Sequence, residues 1–145
     1  MRLQDLVAGD HRIEWEGGEA ISVDLSNHPE IGDGAVLILL GHPTIKKLYM
    51  GGTSLTDQGV SALRELPQLE WLELSDTAVT DAGIAALGGM TTLHYLFLYG
   101  CQVTDGSLPA LRSMTGLREI GLDETQISKA GRKTLRSALS EIEIS

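Results

Sequence analysis

The sequence predicts an α/β solenoid, a short right-handed arc with parallel strands on its concave side and helices on its convex side. The first observation behind this prediction is a repeat, since residues 45–68, 69–92, 93–116 and 117–140 are successive segments of equal length with matching apolar positions. The second is that each segment changes its hydrophobic spacing, from alternation near its start to steps of three further on. A fixed period of this size is typical of solenoids, because each unit buries its apolar side chains against its neighbours.

Residues 69–92 show the two parts of one repeat most clearly. Leucine occupies every second position over 71–75, at Leu72 and Leu74, which predicts a short strand with one buried face. Apolar residues lie three apart over 84–90, which predicts a short helix. Thr80 and Asp81 suit the start of that helix, because Thr caps free N–H groups and Asp complements the positive end of the helix dipole. Stacked repeats would therefore enclose one continuous leucine-rich core.

The motif LxxLxLxxTxVTDxG at Leu69–Gly83 resembles the leucine-rich repeat family, and most of all its cysteine-containing, ribonuclease-inhibitor-like branch with bacterial-type 24-residue repeats. The resemblance extends over residues 21–145. It implies that a side chain at the ninth position of each repeat bonds to backbone in a neighbouring turn. It also implies protein binding through the face of the sheet. The ninth positions are Thr53, Thr77, Cys101 and Thr125.

Residues 1–20 are predicted to form an N-terminal cap, and residues 21–145 the repeat domain. Residues 1–9 suit a short amphipathic helical turn, and residues 12–25 suit a β-hairpin around Gly17-Gly18. Ile13 and Trp15 are expected to share the inward face of that hairpin. Such a cap would cover the exposed core and the free strand edge at the end of a solenoid. A separate functional arm is the alternative.

The terminal repeats are expected to be irregular. Residues 21–44 form a degenerate first copy whose strand residues come one place early, and the final strand, within 141–145, is expected two residues early. Pro109 predicts a delayed helix start in its repeat, because Pro is tolerated only in the first turn. The last helix carries a basic stripe that is either a solvated face or a docking site for an acidic partner. The stripe comprises Lys129, Arg132, Lys133 and Arg136.

Side chains at the third, fifth and seventh positions of each repeat are predicted to face solvent on the concave side. Of the two Trp, three Tyr and one Phe in the chain, five fall at these positions, whereas Leu, Ile, Val and Met form the expected core. Exposed rings of this kind usually mark an interface, and simple stacking across strands is the alternative. The predicted partner-binding residues are Lys47, Tyr49, Trp71, Glu73, Tyr95, Phe97, Tyr99, Glu119 and Asp123.

The charge balance restricts the class of partner. Twenty acidic and eleven basic residues give a net charge of −9, which argues against nucleic acid and favours a basic protein. The longest aliphatic run is too short to span a membrane, and no signal peptide opens the chain, so a cytoplasmic location is expected. The single cysteine, Cys101, excludes an internal disulfide framework and is expected to be a packed structural residue rather than a reactive thiol.

No motif in the sequence predicts catalysis. The four histidines are scattered without a pair at metal-ligand spacing, and the glycine pairs lack the Lys of a phosphate-binding loop. No nucleophile and base can be paired. We therefore expect no metal, no cofactor and no enzymatic activity. The leading interpretation is a module that binds a partner protein or peptide on its concave face. The alternatives are an acidic inhibitor or immunity-type regulator of a basic enzyme such as a nuclease, and self-association through the same face.

Overall fold

The computed structural model describes residues 1–7 and 12–145 of the chain. These residues contain a seven-stranded sheet whose strands lie side by side in the order in which they occur in the sequence. The first two strands are antiparallel, and every later neighbouring pair is parallel. The predicted hairpin and the predicted parallel sheet are therefore confirmed. The strands are β1 (Ile13–Glu16), β2 (Glu19–Asp24), β3 (Lys47–Tyr49), β4 (Trp71–Glu73), β5 (Tyr95–Phe97), β6 (Glu119–Gly121) and β7 (Glu143–Ile144).

One short helical segment follows each strand from β2 to β6, so that the helices form a second layer beside the sheet. The helices are α1 (Gly34–Leu39), α2 (Asp57–Leu63), α3 (Asp81–Ala86), α4 (Leu108–Ser113) and α5 (Lys129–Ala138). A 3-10 turn over Asp105–Ser107 precedes α4, and Pro109 lies in the first turn of that helix. The delayed helix start predicted from Pro109 is confirmed. Among the described residues, no helix is long and apolar enough to cross a membrane.

The register of the sheet explains why the sequence repeats. Lys47 pairs with Trp71, Trp71 with Tyr95, and Tyr95 with Glu119, so that each strand partner lies one full repeat further along the chain. The central residue of each of these strands points into the core, and its relative exposure is 0% at Leu48, Leu72, Leu96 and Ile120. Since successive strand residues point to opposite faces, the first and third residues of each strand lie on the face away from the helices. We call this the concave face.

Leu, Ile, Val and Met fill the space between sheet and helices, as expected, and no aromatic side chain of the described residues belongs to the core cluster. The leucine columns run continuously from the N-terminal 3-10 helix, Leu3–Val7, to Ile142 beside the last strand. Each column is completed only by the next repeat, and isolated repeats of this kind lack a core of their own.

Aspartates join the repeats on the helical side. The backbone N–H of Thr80 donates to Asp57 Oδ1 at 2.7 Å, and its hydroxyl donates to Asp57 Oδ2 at 2.5 Å. The same two bonds link Asp33 to Thr56, Asp57 to Thr80, Asp81 to Thr104 and Asp105 to Ser128. We call this series the aspartate ladder. It ends at α5, where the corresponding residue is Lys129.

The ladder gives Thr80 and Asp81 a role beyond the one expected from helix-start chemistry. Thr80 accepts only a long bond, 3.4 Å, from the N–H of Ala82, whereas its short bonds run to the preceding repeat. Asp81 accepts two bonds from Thr104 and a third from the hydroxyl of Ser107 at 2.6 Å. These residues therefore tie repeats together as well as starting a helix.

The slip predicted in the first repeat is confirmed. Ser22 pairs with Lys47, whereas the regular spacing of the later strands would place Val23 there. Asn27, with φ of 63°, takes the left-handed conformation that Gly52, at 71°, takes after the next strand. The extra residue is absorbed before Ile31, whose carbonyl accepts the N–H of Ser54 at 2.7 Å.

The prediction for the final strand was wrong. Glu143 pairs with Glu119 and Ile144 with Ile120, so the strand keeps the regular repeat register instead of arriving two residues early. The isoleucines that suggested a shift occupy different places, since Ile142 is buried just before the strand and only Ile144 takes an inward strand position. An alternating run of two isoleucines fits either register, and pairing with β6 decides between them.

The N-terminal hairpin departs from expectation at one residue. Ile13 packs against the core, but Trp15 stays 48% exposed, with its ring edge-on to His42 at a centroid distance of 6.2 Å. A register shift between Glu14 and Trp15 interrupts the pairing there, and β1 is the outermost strand of the sheet among the described residues. Residues 8–11, which include His11 and the end of the predicted N-terminal turn, lie outside the described residues.

Candidate functional site

Four aromatic rings form a continuous cluster on the concave face. The Trp71 ring is the centre, with its centroid 4.8 Å from that of Tyr95, 5.1 Å from Phe97 and 6.0 Å from Tyr49. The rings come from β3, β4 and β5, and the register places them side by side because their strands are adjacent. Spacings of about 4.5–7 Å with tilted planes are the favourable range for aromatic pairs. The sheet therefore presents one ring surface rather than separate side chains.

The rings are less exposed than the sequence indicated. Tyr49, Trp71 and Tyr95 are half-buried, and Phe97 is only 8% exposed. Phe97 nevertheless lies outside the leucine core. Its neighbours Trp71 and Tyr99 contribute to covering it from the same face, and sequence reasoning could not show this contact between side chains of different strands.

Tyr99 extends the ring surface toward the last strands. Its centroid lies 5.9 Å from that of Phe97, and its hydroxyl hydrogen-bonds to the Ser145 hydroxyl. The ring lies over Gly121, where an added Cβ would overlap it. Gly121 is thus the residue that lets the Tyr99 ring pack closely against β6.

Glu73 of β4 also lies over a glycine, on the side of the ring cluster nearer the N-terminus. Its carboxylate lies over Gly51, where an added Cβ would collide with Oε2, and Oε1 accepts the N–H of Ser75 at 2.7 Å. Burial raises the pKa of Tyr49, and the nearby carboxylates of Glu14, Asp24 and Glu73 raise it further. These carboxylates therefore sit close to the ring cluster and not on a distant rim.

Two polar atoms of β4 and the turn after it are buried without a hydrogen-bond partner among the described residues. They are Trp71 Nε1 and Ser75 Oγ. A buried donor without a partner costs on the order of 1–3 kcal/mol, and native structures contain few such groups. Both atoms belong to residues of the concave face.

A hollow lies at each end of the ring cluster. The N-terminal hollow, of about 290 Å³, is lined by Arg12, Glu14, Ser22, Asp24, Lys47 and Tyr49. The C-terminal hollow, of about 460 Å³, is lined by Tyr95, Arg118, Glu119, Glu141 and Glu143. Both are open depressions beside a tyrosine, and charged side chains form most of their walls.

All nine predicted site residues lie on or beside the concave face, although their role in binding stays a prediction. Lys47 lines the N-terminal hollow and Glu119 the C-terminal hollow. Asp123 is exposed, and its Oδ1 lies 3.5 Å from Arg132 Nη2. Arg132 also donates to the carbonyl of Leu122 at 3.1 Å, so this member of the basic stripe belongs to the end of the sheet.

Sequence reasoning missed the flanking residues. To place Glu14 and Asp24 beside Tyr49, one has to know the pairing of the hairpin strands and the one-residue slip in the first repeat. Glu143 could have been found by continuing the regular repeat register past Glu119, because the two residues are strand partners. The expected shift of the final strand by two residues placed Glu143 elsewhere, so its pairing with Glu119 was not predicted.

Cys101 is a packed residue. It is 2% exposed, and its Sγ donates to the carbonyl of Leu74 at 3.1 Å. Burial raises the pKa of the Cys101 thiol, and hydrogen bonds with Thr77 only partly oppose this. The expectation of a structural cysteine agrees with this environment. In the described part of the chain, no three His, Cys, Asp or Glu side chains are grouped to hold a metal ion.

Comparison with known proteins gives the same fold. A family profile described as Leucine Rich repeat matches residues 41–63. A leucine-rich-repeat protein of Leptospira interrogans superposes with a TM-score of 0.53 at 24% identity, covering 75% of this chain and 27% of that protein. An internalin from Listeria monocytogenes gives a TM-score of 0.55 at 19% identity, covering 85% of this chain and 39% of the internalin.

A third similar structure is leiomodin-1 actin-binding site 2, with a TM-score of 0.63 at 16% identity, covering 83% of this chain and 79% of that one. The chain thus spans well under half of the two bacterial proteins. The sequence has no match among curated proteins. The profile and the structural likenesses support a leucine-rich repeat family, and the chain folds as a leucine-rich-repeat solenoid arc.

Proposed function

We propose that this chain is a non-catalytic module that binds a partner protein or peptide on its concave face. The observation that carries the proposal is the aromatic cluster around Trp71, which lies on the sheet face opposite the leucine core. A preformed sheet presents such rings at fixed positions, so they lose little conformational freedom when a partner binds. The partner-binding set is the nine residues expected from the sequence, from Lys47 to Asp123.

The alternative is that the rings only stabilise the sheet. Their contacts do contribute to stability, at about 0.5–1.5 kcal/mol for a favourable pair. A cluster with that role alone would have little reason to leave Tyr95 half-exposed. Trp and Tyr are enriched among the residues that carry most of the binding energy at interfaces.

The similar structures support protein binding as the class of function. One of them is described as an actin-binding site. It shares the arc and not the sequence, since identity is 16%, so it supports a protein partner without indicating which one. The net charge of −9 and the carboxylates beside the rings disfavour nucleic acid, whose phosphates they would repel. A cytoplasmic location stays a prediction from the sequence.

Affinity capture from native lysate tests the proposal with the double variant Trp71→Ala, Tyr95→Ala. We expect capture of the specific partner to fall at least about 30-fold, because truncating a central Trp or Tyr commonly costs on the order of 2 kcal/mol or more. The variant also loses ring contacts, so its thermal midpoint should drop by a few degrees.

The matched control is Leu108→Ala in α4, a half-buried side chain packed against the core on the helical side. It lowers stability without touching the rings, and should capture the partner like wild type. Capture that survives in the double variant, or that is lost equally in both, would show that the concave face is not the binding site.

Carboxylates beside the rings also favour a second candidate, an acidic inhibitor or immunity-type regulator of a basic enzyme such as a nuclease. In that case the captured partner is an enzyme, and one equivalent of this chain should abolish its turnover. If turnover of the enzyme is unchanged when it is saturated with this chain, the inhibitor hypothesis is wrong and the binding-module hypothesis is unaffected. Self-association through the same face is tested by sedimentation of the wild type and the ring variant over a range of concentrations.

A further inference from the structure

We propose that the partner segment carries a Lys or Arg side chain about three residues from a bulky apolar side chain. The cation lies in the C-terminal hollow beside Tyr95, and the apolar group lies on the half-buried rings of Trp71 and Tyr95. The inference rests on the proposed function of the concave face. It goes beyond that function by stating the partner's chemistry and the direction in which its charge must lie.

Charge in the C-terminal hollow is the first argument. Three carboxylates, Glu119, Glu141 and Glu143, face one guanidinium, that of Arg118. In the described part of the chain, none of the three glutamates makes an ion pair or a side-chain hydrogen bond. A cation from a partner would be attracted there without displacing an existing contact.

The pairing of β6 with β7 strengthens this argument. Glu119 and Glu143 are direct strand partners on the same face, and Glu119 is half-buried. Like charges directly across two strands are destabilising. A Lys or Arg placed between them would relieve that repulsion, and the adjacent Tyr95 ring would add a cation–π contact.

The N-terminal hollow has a different charge balance, so the two ends of the concave face are not equivalent for a charged partner. Glu14 and Asp24 are balanced there by Arg12 and Lys47. Asp24 already accepts the N–H of Ser26 at 2.9 Å. The N-terminal hollow thus has no unmatched negative charge to recruit a cation.

Sheet geometry sets the spacing in the partner. The Trp71–Tyr95 contact lies at β4 and β5, and the Glu119 and Glu143 carboxylates of the C-terminal hollow lie at β6 and β7. Two strand spacings of about 4.8 Å separate them, or about 10 Å. An extended segment advances about 3.3 Å per residue, so the apolar group and the cation are about three residues apart.

Helix α5 of a second copy of this chain fits less well than a foreign segment. The exposed basic residues of α5 are Lys129, Lys133 and Arg136, and the large apolar residue nearest to them, Leu135, is fully buried. That helix would bring cations without an apolar group to place on the rings.

Selection from a displayed library of random peptides about twelve residues long tests the proposal, with the full chain immobilised and the Trp71→Ala, Tyr95→Ala variant used to remove background binders. We expect enriched peptides to share an aromatic or aliphatic residue and a Lys or Arg about three positions apart. An enriched peptide is then synthesised, and its Kd is measured by fluorescence polarisation at about 0.05 and 0.3 M salt.

The decisive variant is Glu119→Gln, Glu143→Gln, which removes two carboxylates from the hollow. We expect binding to weaken about tenfold and its salt dependence to flatten. The control Glu16→Gln, Glu65→Gln removes the same charge from exposed positions elsewhere and should bind like wild type.

Peptides without basic residues, an equal effect of both glutamine pairs, or a selection that enriches nothing would overturn the inference. If peptides lack basic residues, or if both glutamine pairs have the same effect, but binding still requires Trp71 and Tyr95, the proposed function of the concave face stands and only the inference about a cation is wrong. Enriched peptides that bind the ring variant as well as they bind wild type would overturn both.

Discussion

Gly121 shows how one missing side chain shapes the concave face. The Tyr99 ring occupies the space that a Cβ at Gly121 would take, and its hydroxyl reaches Ser145. Ala in place of a strand glycine is ordinarily stabilising, since it reduces the entropy of the unfolded chain. Here the ring would have to move, so the sign of the effect depends on Tyr99.

We therefore expect Gly121→Ala to lower the free energy of unfolding by about 1–3 kcal/mol, the usual range for overpacking. In a Tyr99→Ala background the same change should cost much less, because the obstructing ring is gone. Urea unfolding of the four proteins in this double-mutant cycle measures the coupling. Costs that are equal in the two backgrounds would show that Tyr99 does not lie over Gly121.

The aspartate ladder is the main polar connection between repeats on the helical side. At Asp81, burial tends to raise the pKa of the carboxyl, but hydrogen bonds from Ser107 and Thr104 outweigh it and the pKa is lowered. At Asp105, hydrogen bonds from the Ser128 hydroxyl and N–H lower the pKa. Both carboxylates are therefore held in the charged form by the fold.

A lowered pKa in the folded state means that the ladder stabilises the protein above the ordinary carboxyl value, 3.8, and stops doing so as the pH falls through the folded value. We expect Asp81→Asn, Asp105→Asn to be destabilised relative to wild type at pH 6. The gap between the two should narrow as the pH falls below 3.8 and close once both carboxyls are protonated in the folded protein. Urea midpoints measured from pH 6 downward test this, and a gap that stays constant with pH would contradict it.

The continuous core predicts how the complete arc unfolds. Leu96 is fully buried in the central strand β5, with repeats on both sides, whereas Ile144 is half-buried in β7 at the end of the sheet. Because each repeat is stabilised mainly by its neighbours, a central cavity weakens two interfaces and a terminal one weakens a single edge.

We expect Leu96→Ala to cost about 2–5 kcal/mol of unfolding free energy and Ile144→Ala about 1 kcal/mol. Leu48→Ala, fully buried in β3, is the matched control for position within the arc and should resemble Leu96→Ala. Denaturant midpoints of the three variants test the expectation. A terminal variant as damaging as the central one would contradict a core that is shared between neighbouring repeats.

Much of the architecture could be predicted from the order of residues. Leu72 and Leu74 face inward and Trp71 and Glu73 outward because alternation along a strand is a local property. The register of the sheet followed from the repeat, and it placed all nine candidate residues on or beside one face. Where the pattern is short, as in the final strand, alternation alone fits two registers, and only the pairing with β6 distinguishes them.

The parts that could not be predicted are contacts between side chains that belong to different repeats. Whether Phe97 is exposed depends on how Trp71 and Tyr99 pack around it, and Glu73 lies over Gly51 only because the two share a face on neighbouring strands. The bond from Thr104 to Asp81 joins two turns in the same way. Period and alternation in the chain set which face each residue occupies. Packing across neighbouring repeats set which rings stay accessible and which carboxylates stay unpaired, because those outcomes depend on distances that no single repeat contains.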